Sequence, residues 1–206
     1  MEQLVSRTAI AKQNKYLLRQ QHNFRIAADA VAEAWRDRPE VEAVVLFGSV
    51  AVPLWKEVPR VPEYRRKGLA VWHECKDVDL AVWLSRTDQL NGLRKAKSRA
   101  LTRLFDEKNV GVASHQMDIF VIEPGTDRYL GRLCDFARCP NAKRECLVEG
   151  CGAVGHLRQH EGFVLSPDAL AEDRTIPLFD RKTNLVRRAV DVPVTGKEED
   201  SDAGLA

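Results

Sequence analysis

The run Asp77-Val78-Asp79-Leu80-Ala81-Val82-Trp83-Leu84 constrains this chain more than any other stretch. Strand side chains alternate between faces, so Val78, Leu80, Val82 and Leu84 make one apolar row. Asp77 and Asp79 then share the opposite side. The alternation fixes a core face, and with it the side on which two carboxylates stand together. Two further runs are apolar and suited to strands: VEAVVLF (41–47), ending at Gly48-Ser49, and QMDIFVI (116–122), ending at Glu123-Pro124-Gly125. Elsewhere the period is helical. Phe24, Ala27, Ala28, Val31, Ala34 and Trp35 recur at three- to four-residue spacing over about 22–38, and Pro39 closes that stretch. Leu90, Leu93, Leu101, Leu104 and Phe105 mark a second helix over about 87–108, with Ser85 or Thr87 as its expected cap.

A chain of 206 residues suits one domain, or one domain with a small module. Residues 1–21 read as a polar N-terminal helix anchored by Leu4, Val5, Ile10, Leu17 and Leu18. Residues 22–133 carry the strands and helices, interrupted at 52–76 by a Pro-rich, charged insertion read as a loop. A Cys-rich segment follows at 134–165, then an irregular extension and tail at 166–206. The net charge of +2 argues against a dedicated nucleic-acid coating protein. No apolar run approaches the ~20 residues that cross a bilayer. The first residues have no secretory apolar core, so a soluble, cytoplasmic protein without a membrane partner is expected.

Asp118 stands between Met117 and Ile119 in an apolar strand, where a carboxylate is costly unless it is paired or bound to a cation. If its strand neighbours that of Asp77 and Asp79, three carboxylates converge at one sheet edge. They raise each other's pKa unless a cation neutralises them, and oxygen-only ligation suits Mg²⁺. The Gly48-Ser49 turn complements them. Glycine permits close backbone approach, and free N–H groups with the Ser49 hydroxyl can hold phosphate oxygens. Taken singly, each feature also reads as an ordinary solvated strand edge or turn.

Together LFGS (46–49), DVDLAV (77–82) and MDIFV (117–121) resemble the signature of the nucleotidyltransferase-fold superfamily that includes DNA polymerase beta, in its small stand-alone prokaryotic form. The likeness covers about residues 22–123. It implies an α/β (α+β) fold in which a mixed β-sheet is flanked by helices. It also implies transfer of a nucleoside monophosphate from a nucleoside triphosphate to a hydroxyl acceptor. By that likeness Asp77 and Asp79 hold two Mg²⁺ ions, Asp118 completes the site and helps activate the hydroxyl, and Gly48 and Ser49 hold the triphosphate. In that family the acids usually follow the turn more closely than here, so residues 50–76 read as an inserted, substrate-reading spacer.

Within the spacer Arg60, Arg65, Arg66, Lys67 and Lys76 interleave with Trp55, Tyr64 and Trp72. Such a loop could contact RNA phosphates and bases, or be a solvated loop pinned by its aromatics. Cys134, Cys139, Cys146 and Cys151 offer four thiolates, which suit a structural tetrahedral zinc. Buried or redox-active thiols are the alternative, and His156 or His160, four apart on an expected helix, could replace a cysteine. Cys75 reads as a plain free thiol. Two other functions fit the same residues: a non-catalytic, antitoxin-like regulator acting on an RNA or protein partner, and a zinc-stabilised nucleic-acid-binding protein.

Overall fold

The fold was analysed in a computed structural model, which describes residues 6–137, 151, 153–160 and 162–196. Helix α1 (Arg7–Arg36) is continuous, so the two helices expected to meet near residue 21 are one. No glycine or proline interrupts 7–36, and nothing there stops a helix once begun. The Ser6 hydroxyl caps it by accepting from the Ala9 N–H at 3.1 Å. Strand β1 (Val41–Phe47) follows. The insertion is more ordered than expected. It folds as β2 (Lys56–Glu57), α2 (Pro62–Lys67) and β3 (Val71–Trp72), with β2 and β3 paired antiparallel.

Next come β4 (Val78–Leu84), α3 (Leu90–Lys108) and β5 (Met117–Ile122). Neither Ser85 nor Thr87 caps α3. Gln89 precedes the helix without a side-chain cap, and the Ser85 hydroxyl donates instead to the Glu40 carbonyl at 3.3 Å. Strands β6 (Tyr129–Leu133), β7 (Leu157–Arg158), β8 (Ile176–Asp180) and β9 (Leu185–Val186) complete the chain.

Among the described residues one seven-stranded mixed sheet runs in the order β7-β6-β5-β4-β1-β8-β9. Strands β4 and β5 are parallel, joined by α3 as the crossover such a pair requires. β1 lies antiparallel beside β4. The starts of β4 and β5 and the end of β1 therefore meet at one edge. The helices cover a single face. There Val44, Leu46, Leu80, Val82, Ile119 and Val121 pack with Phe24, Val31 and Trp35 of α1 and Leu93, Leu101 and Leu104 of α3. Trp35 also ties the helices together by donating its indole N–H to the Leu93 carbonyl at 3.1 Å. On the other face Phe47, Ala81, Phe120 and Ile122 are covered by Tyr129 and by Phe163, Leu165, Ala169 and Leu170 from the chain beyond β7. No helix among the described residues is long and apolar enough to cross a membrane.

Candidate active site

Strand β1 runs straight into the bend. Gly48 has φ 74°, a left-handed conformation that suits glycine, and opens a 3-10 turn over Gly48–Val50. The Ala51 N–H closes that turn on the Gly48 carbonyl at 3.1 Å. A second constraint comes from across the sheet, because Phe47 pairs with Asp79. A Cβ at position 48 would lie 2.5 Å from Asp79 Oδ2. The bend and the carboxylate are thus in direct apposition, and only a residue without a side chain lets them meet. Gly48→Ala combines backbone strain with a clash, so a loss of about 1–3 kcal/mol is expected in chemical denaturation.

The bend is held from behind by two polar residues of α1 that stand inside its apolar stripe. Gln21 and Arg25 are fully buried. The Gln21 amide donates to the carbonyls of Val52 at 2.9 Å, Ser49 at 3.3 Å and Val50 at 3.4 Å. Arg25 donates to Val50 at 2.9 Å, to Pro193 at 3.1 Å, to Val52 at 3.3 Å and to the Val192 carbonyl. Burial pushes the Arg25 pKa down, opposed by nearby Cys75 and Asp29. Beneath the bend the buried Cys75 thiol reaches the Ser49 carbonyl at 3.6 Å, and burial pushes its pKa up. Sequence reasoning assigned no task to Gln21 or Arg25. The available signal was their place among Leu17, Phe24 and Ala28 on a face otherwise apolar.

Asp79 and Asp118 are direct partners in the β4–β5 pair. Both project from the face opposite the helices, as their alternation with Leu80 and Ile119 requires. Asp77 stands exposed just before β4 and lies within electrostatic reach of Asp79. The structure therefore brings Gly48, Asp79 and Asp118 together, with Asp77 at the rim and Ser49 next in the bend. Burial pushes the Asp79 carboxyl from its ordinary 3.8 to about 6; Asp118 and Asp77 add to this, and Arg132 opposes it. Arg132, on β6, donates to Asp118 Oδ2 at 2.6 Å. Its guanidinium lies 4.4 Å from the Phe120 ring centre and 5.0 Å from that of Phe163. From the helix side the buried Lys97 donates to the Ser114 carbonyl at 3.3 Å. Among the described residues no three His, Cys, Asp or Glu side chains are grouped closely enough to hold a metal by themselves. Mg²⁺ commonly takes only one or two carboxylates and completes its shell with water and substrate phosphates, and the Asp79–Asp118 pair offers that number.

The insertion uses two of its aromatics internally. Trp72 is buried beneath the Lys56 ammonium, 5.1 Å from the ring centre, and Tyr64 packs on the core. Trp55 is exposed but stacks on His73 at 4.0 Å between ring centres. Arg60, Arg65, Tyr64 and Lys76 line an open cleft of about 1000 Å³ between the insertion and α1. Cys139 and Cys146 lie outside the described residues, so the four-thiolate arrangement does too. Cys134 and Cys151 are half-buried and free. The helix expected to carry His156 and His160 does not form. His156 has φ 65°, and strand β7 begins at the next residue. His156 pairs instead with Cys134: its carbonyl accepts from the Cys134 N–H at 2.7 Å, and its Nδ1 lies 3.1 Å from the Cys134 carbonyl.

Comparison with protein-family models, with curated proteins and with solved structures finds no match to this chain.

Proposed function

We propose that this chain is a Mg²⁺-dependent nucleotidyltransferase of the polymerase-beta-like fold. The reading rests on the likeness of LFGS, DVDLAV and MDIFV to that superfamily, and on one geometric observation. The glycine bend after β1 abuts the Asp79 carboxylate while Asp118 stands directly across from it on β5. The antiparallel β1–β4 pair beside the parallel β4–β5 pair is compatible with the fold.

In this reading the bend holds the triphosphate through backbone N–H groups and the Ser49 hydroxyl, and Asp118 faces the acceptor. The acceptor hydroxyl oxygen attacks the α-phosphorus. As the new P–O bond forms, the bond from the α-phosphorus to the bridging oxygen breaks and pyrophosphate leaves. The hydroxyl proton passes to Asp118. Arg132 holds Asp118 in place and balances its charge. Asp77, Asp79 and Asp118 are the residues that would hold Mg²⁺, which when bound neutralises charge on the attacking and leaving oxygens. Positioning and charge neutralisation then supply most of the rate enhancement.

The test is incubation of the protein with each labelled nucleoside triphosphate, Mg²⁺ and cell extract. Label should pass to an acceptor from at least one nucleotide, and Asp77→Ala should abolish the transfer. Silence from all four nucleotides together with tight RNA binding would replace the enzyme with a nucleic-acid-binding protein.

A further inference from the structure

Beyond Asp118, the face of the sheet opposite the helices carries two arginines, of which Arg158 has no role in the scheme above. The registers place Phe120 opposite Arg132, and Arg132 opposite Arg158. Direct cross-strand partners share a face, and like charges placed there repel. Asp118 balances one of the two guanidiniums. Arg158 forms no salt bridge among the described residues. The Nε atoms of both arginines are buried without an acceptor. The Tyr129 hydroxyl, also on β6, is buried near both arginines without a well-formed hydrogen bond. Two guanidinium Nε–H groups buried side by side without an acceptor are a costly arrangement for a protein to keep. Among the described residues Asp118 is the single carboxylate serving this pair of arginines, and it leaves both Nε–H groups without an acceptor.

The position separates this cluster from the bend. In the sheet order, β1 and β6 lie on opposite sides of the strands that carry the acids. At the usual strand spacing Arg132 is roughly 14 Å from the end of β1, and Arg158 one strand further. The bend and the arginines therefore flank the carboxylates from opposite sides.

We propose that Arg132, Arg158 and Tyr129 form an oxyanion subsite that holds a phosphate group carried by the acceptor, leaving its hydroxyl at Asp118. The Phe120 and Phe163 rings flank the Arg132 guanidinium, whose Nη1 meets Asp118 and whose buried Nε–H is the donor left for the anion. The identity of the ligand as an acceptor rests on the nucleotidyltransferase reading. The anion subsite itself does not.

The test uses inorganic phosphate as probe, titrated into the whole protein in EDTA without nucleotide and followed by calorimetry. Saturable binding is expected, weakened roughly tenfold or more in Arg158→Gln and largely retained in Arg158→Lys. Arg158 lies on a two-residue strand at the end of the sheet order, and thermal melting verifies that both variants fold. Absence of phosphate binding, or binding at the bend that Arg158→Gln leaves unchanged, overturns the proposal. Displacement by glycerol phosphate identifies a small phosphorylated acceptor; displacement only by a 5′-phosphorylated oligonucleotide identifies a polynucleotide end. In the transfer assay Arg158→Gln should raise KM for the acceptor and leave KM for the nucleotide unchanged. If no nucleotide is transferred while phosphate still binds through Arg158, the enzymatic reading falls and the anion subsite stands.

Discussion

Asp79→Asn is expected to abolish nucleotidyl transfer and at the same time make the metal-free protein more stable. The loss of transfer should be roughly 10²–10³-fold or more, the scale on which one missing partner for transition-state charge is felt. The gain in stability follows from the environment of the carboxylate. Asp79 is pushed from its ordinary 3.8 to about 6, first by burial and then by Asp118. For an acid whose folded value is raised, stability is greatest with the proton on. It falls as pH rises from about 4 to about 6 and stays lowered above that range. The ionised wild type at neutral pH therefore carries a penalty of roughly 2 kcal/mol, which the neutral amide does not. In EDTA at pH 7 the variant should melt about 5 °C higher than wild type, with the difference vanishing near pH 4. Mg²⁺ should raise the wild-type Tm at pH 7 and leave that of the variant nearly unchanged. A destabilised variant, or a stabilisation independent of pH, would contradict the placement of Asp79 among buried like charges.

The second large effect is expected at Arg25, far from the chemistry in sequence. Arg25→Ala removes the donor for the carbonyls of Val50, Val52, Val192 and Pro193 and leaves a cavity at a fully buried position. Unsatisfied buried acceptors together with lost packing cost about 3–5 kcal/mol, or a fall in Tm of about 10 °C. Arg25→Lys keeps the charge but not the planar fork, so it should recover only part of the loss. Because the same carbonyls shape the Gly48–Val50 turn, transfer activity should decline in Arg25→Lys even where the protein remains folded. Thermal melts followed by tryptophan fluorescence, with activity measured well below the midpoint, separate the two effects.

Three strands were readable from local pattern alone. VEAVVLF and VDLAVWL occupy β1 and β4 to the residue, and QMDIFVI runs one residue ahead of β5. Each is long enough and apolar enough on the core face to declare its period. β6 and β8 do not. YLGRL carries a glycine at its centre and IPLFD a proline at its second position, and each gains strand character only by pairing with a neighbour already in place. The placement of Asp79 opposite Asp118 depends on β4 and β5 being adjacent, which the sequence allows but does not demand. The clamp by Gln21 and Arg25 was hidden for another reason. A buried polar side chain advertises a need for partners, but its partners lie on turns remote in sequence. Arg132 and Arg158 were equally silent, since a short strand with one charged residue looks like any solvent-facing edge.

The Arg25 clamp also orders events during synthesis. Its acceptors include Val192 and Pro193, and the Leu54 N–H is held by the Val194 carbonyl at 2.7 Å. Strand β8, which seals the free side of β1, is likewise made late. A nascent chain still attached to the ribosome would carry all three aspartates, and the Gln21 and Arg25 donors that brace the Gly48–Val50 turn from α1, long before Val192 and Pro193 completed the clamp. The turn is thus braced from α1 first and from residues 192–194 only later, and a product truncated before residue 190 would be born with its acids in place and the bend opposite them only half supported.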